Sequence, residues 1–304
     1  MRLNDFIKRS GQSSIPLHEV TDEELHRLHK EMTNIADDVI SISDEMGISI
    51  TLGGGSVLGA ARHSGFIPWD DDIDLNMTRK DWEVFAPVFQ ERFKDKYFVY
   101  APESFNGAVI NAIRIYKRGT KLREIAHAPN EPNGLFVDIF LLENAPNNAV
   151  IRLCHGVLCQ GLRYVASCVR LYEQRAYIET VFGENAEAMA GYRKRFRVGR
   201  VFSFSSAHSW AIRSYRINGL CRNEASRFLT IPSGGKYYFG ELIRRDSYFP
   251  PKYLPFGDHS WPVPRDYDGY LTRLYGDWKE VPPVDKREVH CLLELDFGDD
   301  DDNE

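Results

Sequence analysis

Two aspartates separated by one apolar residue, Asp72 and Asp74, are the side chains in this sequence best suited to chemistry. In a β-strand, residues two apart point to the same side, so both carboxylates would face one space while Ile73 faces the core. Two negative charges at that distance repel each other unless a cation compensates them. Mg²⁺ binds oxygen ligands, typically one or two carboxylates together with substrate phosphates. The pair therefore predicts a site for Mg²⁺, with Mn²⁺ as the alternative ion, although an isolated Asp-x-Asp also occurs in acidic surface turns.

Two other motifs share this spacing. Asp70, Asp72 and Asp74 match the first, third and fifth positions of an EF-hand calcium loop. That loop needs glycine at its sixth position and glutamate at its last, but Leu75 and Asp81 stand there, which excludes an EF-hand. The Asp-x-Asp of glycosyltransferases stays open. Those enzymes usually place a nucleotide-binding α/β unit before the motif, whereas one predicted helix and one predicted strand precede the glycines here.

A glycine-rich turn, Gly54-Gly55-Ser56, precedes the aspartates at the start of a predicted helix. Phosphate oxygens approach backbone N–H groups closely where no side chain intervenes, and the helix N-terminus adds a favourable dipole. The Ser56 hydroxyl would be a further donor. By itself a triple glycine often marks only a tight turn. Together with an Asp-x-Asp on the next strand, it is the pattern of nucleotidyltransferases.

That pattern needs a third carboxylate on a neighbouring strand, to complete the metal site or to accept a proton from the attacking hydroxyl. Asp138 is the candidate, because it is the one charged residue of an apolar strand, residues 135–141. An unpaired carboxylate would cost several kcal/mol there. The alternative is a structural salt bridge to Arg114 or another neighbour.

The elements that must position these residues follow from apolar spacing and capping signals. A helix is predicted over residues 21–46, with Thr21 and Glu24 as a capping box and Gly47 as its end. Residues 48–52 form a β-branched strand that leads into the glycines, and Thr78 caps a later helix. The other elements predicted before residue 145 are a helix over 56–63, a strand around Asp72, and strands over 97–100, 109–116 and 135–142.

The second half of the chain changes to a helical pattern over residues 148–227, followed by a Pro-, Tyr- and Phe-rich part with one helix over 266–275 capped by Asp266. We therefore predict an α/β (α+β) fold, with a mixed sheet, flanking helices and a mainly helical accessory region. The predicted divisions are an N-terminal arm (1–20), a catalytic domain (21–146), an accessory or acceptor region that packs on it (147–295) and a disordered acidic tail (296–304).

Composition limits the class of protein. The chain has 304 residues, is 43% hydrophobic and carries a formal net charge of -6, much of it in the tail, so charge says little about partners. Its five cysteines form no Cys-x-x-Cys pair, which argues against a disulfide framework or a zinc site. The first residues lack a signal-peptide pattern and no apolar stretch is long enough to span a bilayer. We expect a cytoplasmic protein.

The sequence from Gly54 to Asp74 closely resembles the signature of the LicD family, which includes bacterial phosphocholine transferases and is related to fukutin and fukutin-related protein. The resemblance continues through Arg114-Ile115-Tyr116, the strand around Asp138, and two blocks near residues 264–271 and 275–278. It also includes residues 77–82, so that it covers most of the chain from about Leu52 onward.

The resemblance implies a nucleotidyltransferase-like fold that moves a phospho-alcohol, foremost phosphocholine, from a CDP-linked donor to a hydroxyl of a surface glycan such as lipopolysaccharide or teichoic acid, or to its lipid-linked precursor. By resemblance, Asp72, Asp74 and Asp138 are the catalytic and metal-binding carboxylates. The remaining residues that the resemblance assigns to donor phosphate are Gly54, Gly55, Ser56, Arg62, Arg79 and Arg114, where each arginine has a structural salt bridge as its alternative. His63 and Trp69 are expected to pack the loop.

Ser56 replaces the threonine common in the family, and Ser64 replaces a frequent lysine. Neither change affects the carboxylates. Two other functions remain as alternatives: a nucleotidyltransferase that releases pyrophosphate, and a catalytically silent module that binds a glycan or nucleotide.

Two features of the second half concern partners. Basic residues between 193 and 227 alternate with apolar ones, which predicts either peripheral contact with the inner face of an anionic membrane or a solvated helix face. Nucleic acid is not expected, because no recognised module accompanies the charge. Aromatic residues between 237 and 267 could bind a choline group through cation–π contacts or could simply pack in the core.

Overall fold

Helix α1, Asp22–Glu45, begins where the capping box predicts. The Glu24 N–H donates to Thr21 Oγ1 (3.2 Å), and the Glu24 carboxylate accepts from the Thr21 N–H (2.8 Å). Leu28, Met32 and Ile35 on one face are fully buried in the main core. The helix ends before Gly47, whose φ of +66° suits glycine.

The computed structural model describes residues 17–105, 107–109, 112–125, 131–183, 185–287 and 292–298. The predictions for the first sixteen residues of the N-terminal arm and for residues 299–304 of the acidic tail lie outside these ranges.

In the first half, every predicted element has a counterpart. The elements are β1 (Ile50–Leu52), α2 (Gly54–His63), β2 (Asp74–Thr78), α3 (Arg79–Arg92), β3 (Tyr97–Tyr100), β4 (Ile113–Lys117), β5 (Lys121–Glu124) and β6 (Phe136–Ala145). Thr78 caps α3 as predicted, since its hydroxyl accepts from the Asp81 N–H. β5 was not predicted; it pairs with a late strand, residues 292–296, outside the main sheet.

In one respect the prediction was wrong: Asp72 is not in a strand. β2 begins only at Asp74, and the residues before it have no regular structure. Pro68 lies just upstream, and the Asp70 N–H donates to the Ile67 carbonyl (2.9 Å), so the chain is still completing a turn at this point. Ile73 is fully buried, as expected.

The main sheet has seven strands, and β6 is central to it. The strand order is β1-β2-β6-β4-β3; β2 and β6 run parallel, whereas the other pairs are antiparallel. Helix α1 packs against this sheet. The sheet thus forms the mixed α/β core that the sequence predicts.

The second half is helical at first and then returns to the sheet. The elements are α4 (Ala149–Glu173), α5 (Arg175–Phe182), α6 (Ala186–Phe202), α7 (Ala207–Asn218), β7 (Phe228–Thr230), α8 (Tyr237–Gly240), β8 (Ile243–Arg244), α9 (Arg245–Tyr248), β9 (Lys252–Phe256), β10 (His259–Val263), α10 (Tyr267–Tyr275), a 3-10 turn (Val284–Lys286) and β11 (Leu292–Asp296). α4 packs extensively against α6 and α7. β7 pairs with the end of β6, and α10, capped by Asp266 as predicted, packs on α2. Within the described ranges, no helix is both long and apolar enough to cross a membrane.

Candidate active site

A cavity of about 700 Å³ opens where α2, the edge of the main sheet and α10 meet. Eight acidic residues line it: Asp70, Asp72, Asp74, Glu124, Asp138, Glu241, Asp277 and Glu280. Four basic residues face the same space: Arg62, Arg114, Lys236 and Lys286. The excess of acidic side chains gives the cavity a negative potential when they are ionised, so an anionic ligand would need a cation beside it.

The three predicted carboxylates converge on this cavity. Asp74 opens β2 and Asp138 lies on β6, and the two are register partners on adjacent parallel strands. Register partners lie on the same face of a sheet, so both side chains point to one side. Asp72 reaches the cavity from the preceding loop rather than from the strand. All three carboxylates therefore line one cavity, whereas the strand position predicted for Asp72 was wrong.

Asp138 is also engaged by an arginine. Arg114 Nε donates to Asp138 Oδ1 (2.8 Å), and Arg114 Nη2 lies 3.9 Å from Glu124 Oε1. The guanidinium carbon lies 3.9 Å from the centroid of the Phe136 ring. Burial disfavours the charge of Arg114, but Asp138 foremost among its neighbours outweighs burial and raises its pKa. Arg114 is therefore a fixed positive charge at the cavity wall, and the salt bridge that the sequence offered as an alternative is present.

The protein side chains supply only part of the ligand set that a divalent ion needs. Among the described residues, no three His, Cys, Asp or Glu side chains converge into a cluster that could enclose an ion. Mg²⁺ sites, however, commonly use one or two carboxylates and take their remaining ligands from water and substrate phosphates. Asp72 and Asp74 supply the hard oxygen donors that such a site needs, and the acidic cavity supplies the charge.

The glycines keep the space above these carboxylates open. A Cβ on Gly54 would lie 2.5 Å from Asp74 Oδ2, and one on Gly55 would lie 3.0 Å from Asp70 Oδ2. Gly54 also has a φ of +38°. Its N–H donates to the Tyr270 hydroxyl (3.0 Å). The turn therefore requires glycine because carboxylates and a tyrosine approach its backbone, a reason that the sequence alone did not give.

Two residues predicted to contact donor phosphate lie elsewhere. Ser56 is buried, and its hydroxyl accepts from the Asp74 N–H (2.9 Å), which fixes α2 to the start of β2. Arg79 is buried outside the cavity, where it pairs with Glu143 (Nη2 to Oε1, 2.5 Å) and donates to the Tyr215 carbonyl (2.9 Å). Burial disfavours the Arg79 charge, but Glu143 outweighs it and raises the arginine pKa. Both residues hold together the elements that carry the site, and neither lines the cavity.

Arg62 does line the cavity, and its orientation is fixed by neighbours. Nη1 donates to the carbonyls of Trp278 (2.8 Å) and Glu280 (3.1 Å), while Nε donates to His63 Nε2 (2.9 Å). Burial and the adjacent Arg62 lower the pKa of His63, which suits an imidazole that accepts this bond. Arg62 thereby attaches α2 to the segment after α10. His63 packs edge-on against Trp69, which itself faces the cavity.

Two tyrosines of α10 belong to the site although the sequence gave them no role. Tyr270 is buried and accepts from Gly54 as described. Burial of its hydroxyl and the carboxylates of Asp74, Asp70 and Asp72 raise the pKa of Tyr275 well above its ordinary value, so this phenol stays protonated beside the aspartates. The ring of Tyr275 is partly exposed, and its hydroxyl is the end that faces the acidic group. The resemblance near residues 275–278 was the available signal.

Another part of the cavity lining comes from the segment before α8. Gly234, Gly235 and Lys236 line the cavity together with Glu241, which is 3% exposed. The Lys236 N–H donates to Glu241 Oε1 (3.0 Å). Burial raises the pKa of Glu241 to about 7. Nothing in the apolar spacing marked Glu241, because its burial depends on how the turn at Gly234 and Lys236 folds back onto its carboxylate.

The aromatic residues proposed for a choline site are mostly in the core. Tyr238, Tyr248, Phe256 and Trp261 are buried and do not line the cavity. The aromatic rings that do line it are Trp69, Phe136, Phe140, Tyr270, Tyr275 and Trp278. The Arg287 guanidinium lies 4.0 Å from the centroid of the Trp69 ring, so that one ring face already holds a cation.

Comparison with known proteins agrees with this geometry. Residues 47–151 match the family model described as "LicD/FKTN/FKRP, nucleotidyltransferase domain". The chain is 24% identical over 273 residues to a lipopolysaccharide cholinephosphotransferase LicD of Haemophilus influenzae, covering 86% of this chain and 93% of that protein. It is 46% identical over 43 residues to the ribitol 5-phosphate transferase FKRP of Mus musculus and of Homo sapiens, a stretch that covers 14% of this chain and 9% of each relative.

The matched residues include α2, β2 and β6 and with them all three carboxylates, and the similarity to the bacterial relative continues across both halves of the chain. Residues 47–151 of this chain, which carry all three carboxylates, therefore match the nucleotidyltransferase domain of the LicD family.

Proposed function

We propose that this protein is a LicD-type phosphotransferase that moves a phospho-alcohol, foremost phosphocholine, from a CDP-linked donor to a hydroxyl of a surface glycan or its lipid-linked precursor. The observation that carries the proposal is the convergence of Asp72, Asp74 and Asp138 on one acidic cavity whose wall also holds Arg114. The printed names of the relatives, a cholinephosphotransferase and ribitol 5-phosphate transferases, support the class of group transferred.

The charge of the cavity explains why a divalent cation belongs to the proposal. A CDP-linked donor carries negative phosphates, which the acidic lining would repel. Bound by Asp72 and Asp74, Mg²⁺ or Mn²⁺ would neutralise the donor phosphates and polarise their oxygens. Arg114, Arg62 and Lys236 line the same cavity and supply positive charge at its walls.

The reaction is a displacement at phosphorus. The acceptor hydroxyl oxygen bonds to the phosphorus that carries the alcohol, and the bond from that phosphorus to the bridging oxygen breaks, so that CMP leaves with the bridging oxygen. The hydroxyl proton passes to Asp138, whose carboxylate Arg114 holds in place. Positioning and charge, rather than a covalent protein intermediate, would provide the catalysis.

Trp69 and Trp278 line the cavity together with Asp277 and Glu280, and these four residues would select the alcohol. A quaternary ammonium is attracted both to aromatic faces, by about 0.5–2 kcal/mol per ring, and to carboxylates. This combination favours phosphocholine over an uncharged ribitol or glycerol phosphate.

The experiment is a donor screen with the purified chain. CDP-choline, CDP-ribitol and CDP-glycerol are each incubated with Mg²⁺ and a glycan acceptor, and released nucleotide is identified by chromatography. We expect CMP from CDP-choline, none from Asp74→Asn, and unchanged release from Asp246→Asn, whose exposed carboxylate pairs with Arg244 away from the cavity. Pyrophosphate released from CTP instead of CMP from any donor would assign nucleotidyl transfer, and binding without turnover would assign a silent module.

A further inference from the structure

The outward face of α4 is apolar along most of its length. The exposed apolar residues at 150, 153, 157 and 164 and those at 151 and 158 are related by three, four or seven positions, which places them on one side of the helix. The exposed fractions are 69% for Val150, 60% for Ile151, 56% for Leu153, 58% for Val157, 45% for Leu158 and 50% for Tyr164. We refer to these six residues as the α4 face.

The opposite side of α4 is already used in packing. Gly156 and Cys159 lie on that side with His155, which contacts the Tyr238 hydroxyl and the Ile217 carbonyl. On the same side as the α4 face but nearer the end of the helix, Cys168 packs so closely against α6 that a Cβ on Gly199 would lie 2.2 Å from its carbonyl oxygen, so α6 borders that face. A helix that is apolar on two sides needs cover on both, because soluble monomers rarely expose a contiguous apolar surface of this extent.

The surroundings of the α4 face are strongly basic. The sequence contains no Asp or Glu in residues 149–172 or 188–223. On α6, five basic residues are exposed: Arg193, Lys194, Arg195, Arg197 and Arg200. Arg195 is close enough to Tyr164 of the α4 face to influence its hydroxyl electrostatically. Within the described part of the chain, these five form no ion pair, whereas Arg216 and Arg222 pair with Glu103 and Glu83.

The side of α4 away from the α4 face contacts the segment that leads to the cavity. The Arg163 guanidinium lies 4.0 Å from the centroid of the Tyr237 ring, and Phe239 packs over Gly156. Lys236, the residue before Tyr237, lines the cavity. The candidate active site therefore adjoins the packed side of α4, and the α4 face is a separate surface.

We infer that the α4 face docks on an anionic lipid bilayer, with its apolar side chains at the boundary between headgroups and acyl chains and the arginines of α6 on lipid phosphates. Apolar residues flanked by Lys and Arg are the pattern of helices that lie in the plane of a membrane surface. A second copy of the chain is a poorer occupant, since a two-fold contact would bring two basic surfaces together.

The docking does not depend on the proposed function, so membrane binding and turnover are tested separately.

Binding is measured by flotation of the full chain with phosphatidylglycerol–phosphatidylcholine vesicles and with phosphatidylcholine vesicles, without donor or acceptor. We expect flotation with the anionic vesicles only. Leu153→Glu/Val157→Glu should lose it by at least tenfold, because two charges enter the apolar boundary. The matched control is Val84→Glu/Val88→Glu, in which two exposed valines of α3, 57% and 40% exposed, are changed outside the α4 face.

A second pair of variants separates charge from apolar contact. Arg195→Gln/Arg197→Gln should weaken flotation by about thirtyfold, from about 1 kcal/mol for each basic residue near an anionic surface. Arg216→Gln/Arg222→Gln, taken from the same basic stretch but already ion-paired, should change it little.

Three results would overturn the inference: wild-type protein that does not float with anionic vesicles, control pairs that lose as much binding as the test pairs, or a concentration-dependent dimer in ultracentrifugation that Leu153→Glu/Val157→Glu dissociates. CMP release with a soluble acceptor is measured on the same preparations. Its retention in variants that no longer float shows that docking and catalysis are distinct.

Discussion

Asp74 and Asp138 are direct register partners on parallel strands β2 and β6, so two carboxylates project side by side from one face of the sheet. Adjacent strands lie about 4.8 Å apart, a separation at which two negative charges repel each other strongly in a partly buried site. Arg114 offsets part of this repulsion at Asp138. The arrangement therefore costs stability, which is typical of a site built for function rather than for folding.

Removing one of these two carboxylate charges should lower activity without lowering stability. We expect Asp74→Asn to lower CMP release by roughly 100-fold or more, because a donor of the metal site is lost. Thermal stability should stay equal or rise, since the repulsion is relieved. The measurements are steady-state turnover and a melting curve at neutral pH. A variant with normal turnover would remove Asp74 from the mechanism.

The metal should bind together with the donor. Asp72 and Asp74 provide few protein ligands, so we expect Mn²⁺ to bind weakly to the free protein and at least about tenfold more tightly with the CDP-linked donor present. Titration followed by the electron paramagnetic resonance signal of free Mn²⁺ measures both affinities. Asp72→Ala should abolish the tightening. Donor-independent binding would point to a preformed protein cage and contradict this description.

The glycine at the turn should tolerate no side chain. A Cβ at Gly54 would lie 2.5 Å from Asp74 Oδ2, and φ is +38°. We therefore expect Gly54→Ala to destabilise the fold by about 1–2 kcal/mol and to lower turnover by displacing Asp74. The control is Gly191→Ala in the interior of α6, where no atom lies within 4 Å of the added Cβ and where stability should rise slightly. Denaturant titration compares the two.

Glu241 should make stability depend on pH. Its folded-state pKa of about 7 lies above the ordinary 4.5, so the native protein binds more protons than the unfolded chain between these values. Its contribution is complete below about pH 4.5 and is lost as the pH rises through about 7.

The variant Glu241→Gln cannot ionise and should escape this loss. We expect its stability relative to the parent to rise between about pH 4.5 and 8, by roughly 1–3 kcal/mol in total, at about 1.4 kcal/mol per pKa unit. Melting curves over this range measure the difference, and the exposed Glu179→Gln serves as control. A constant difference would show that Glu241 is ionised throughout.

Arg79 should matter for stability rather than for the donor. Arg79→Met leaves Glu143 buried without its partner, which should cost about 3–5 kcal/mol. The double variant Arg79→Met/Glu143→Leu should recover much of that loss. The Michaelis constant for the donor in the double variant should match the parent. A large increase in this Michaelis constant would instead support the contact between Arg79 and donor phosphate that the sequence suggested.

The local parts of this protein were predictable from the sequence and the tertiary pairings were not. The capping box at Thr21 and the lone charge of Asp138 in an apolar strand are signals within a few residues, and both gave correct positions. Arg79 and Arg114 look alike in sequence, yet one pairs with Glu143 behind the sheet and the other with Asp138 at the cavity. Strand register brings Arg114 to Asp138, whereas Arg79 begins helix α3 and reaches Glu143 through the packing of that helix on β6.

Glu241 illustrates the same limit. Its carboxylate is buried against the turn that contains Gly234 and Lys236, and no apolar spacing in the local sequence shows that this turn folds back onto it. Ser56 was assigned to phosphate because a hydroxyl beside glycines is a suitable donor. The structure uses that hydroxyl for the Asp74 backbone instead.

Strand β6 carries Asp138 near its beginning and Glu143 further along, five residues later. Because side chains alternate across a strand, an odd separation sends the two acids to opposite faces, one to the cavity and the other to Arg79. An insertion or deletion of one residue between them would turn one acid to the wrong side. In any protein in which both acids keep these roles, the number of positions from the first to the second must therefore stay odd. The loops that flank β6 are free to change in length.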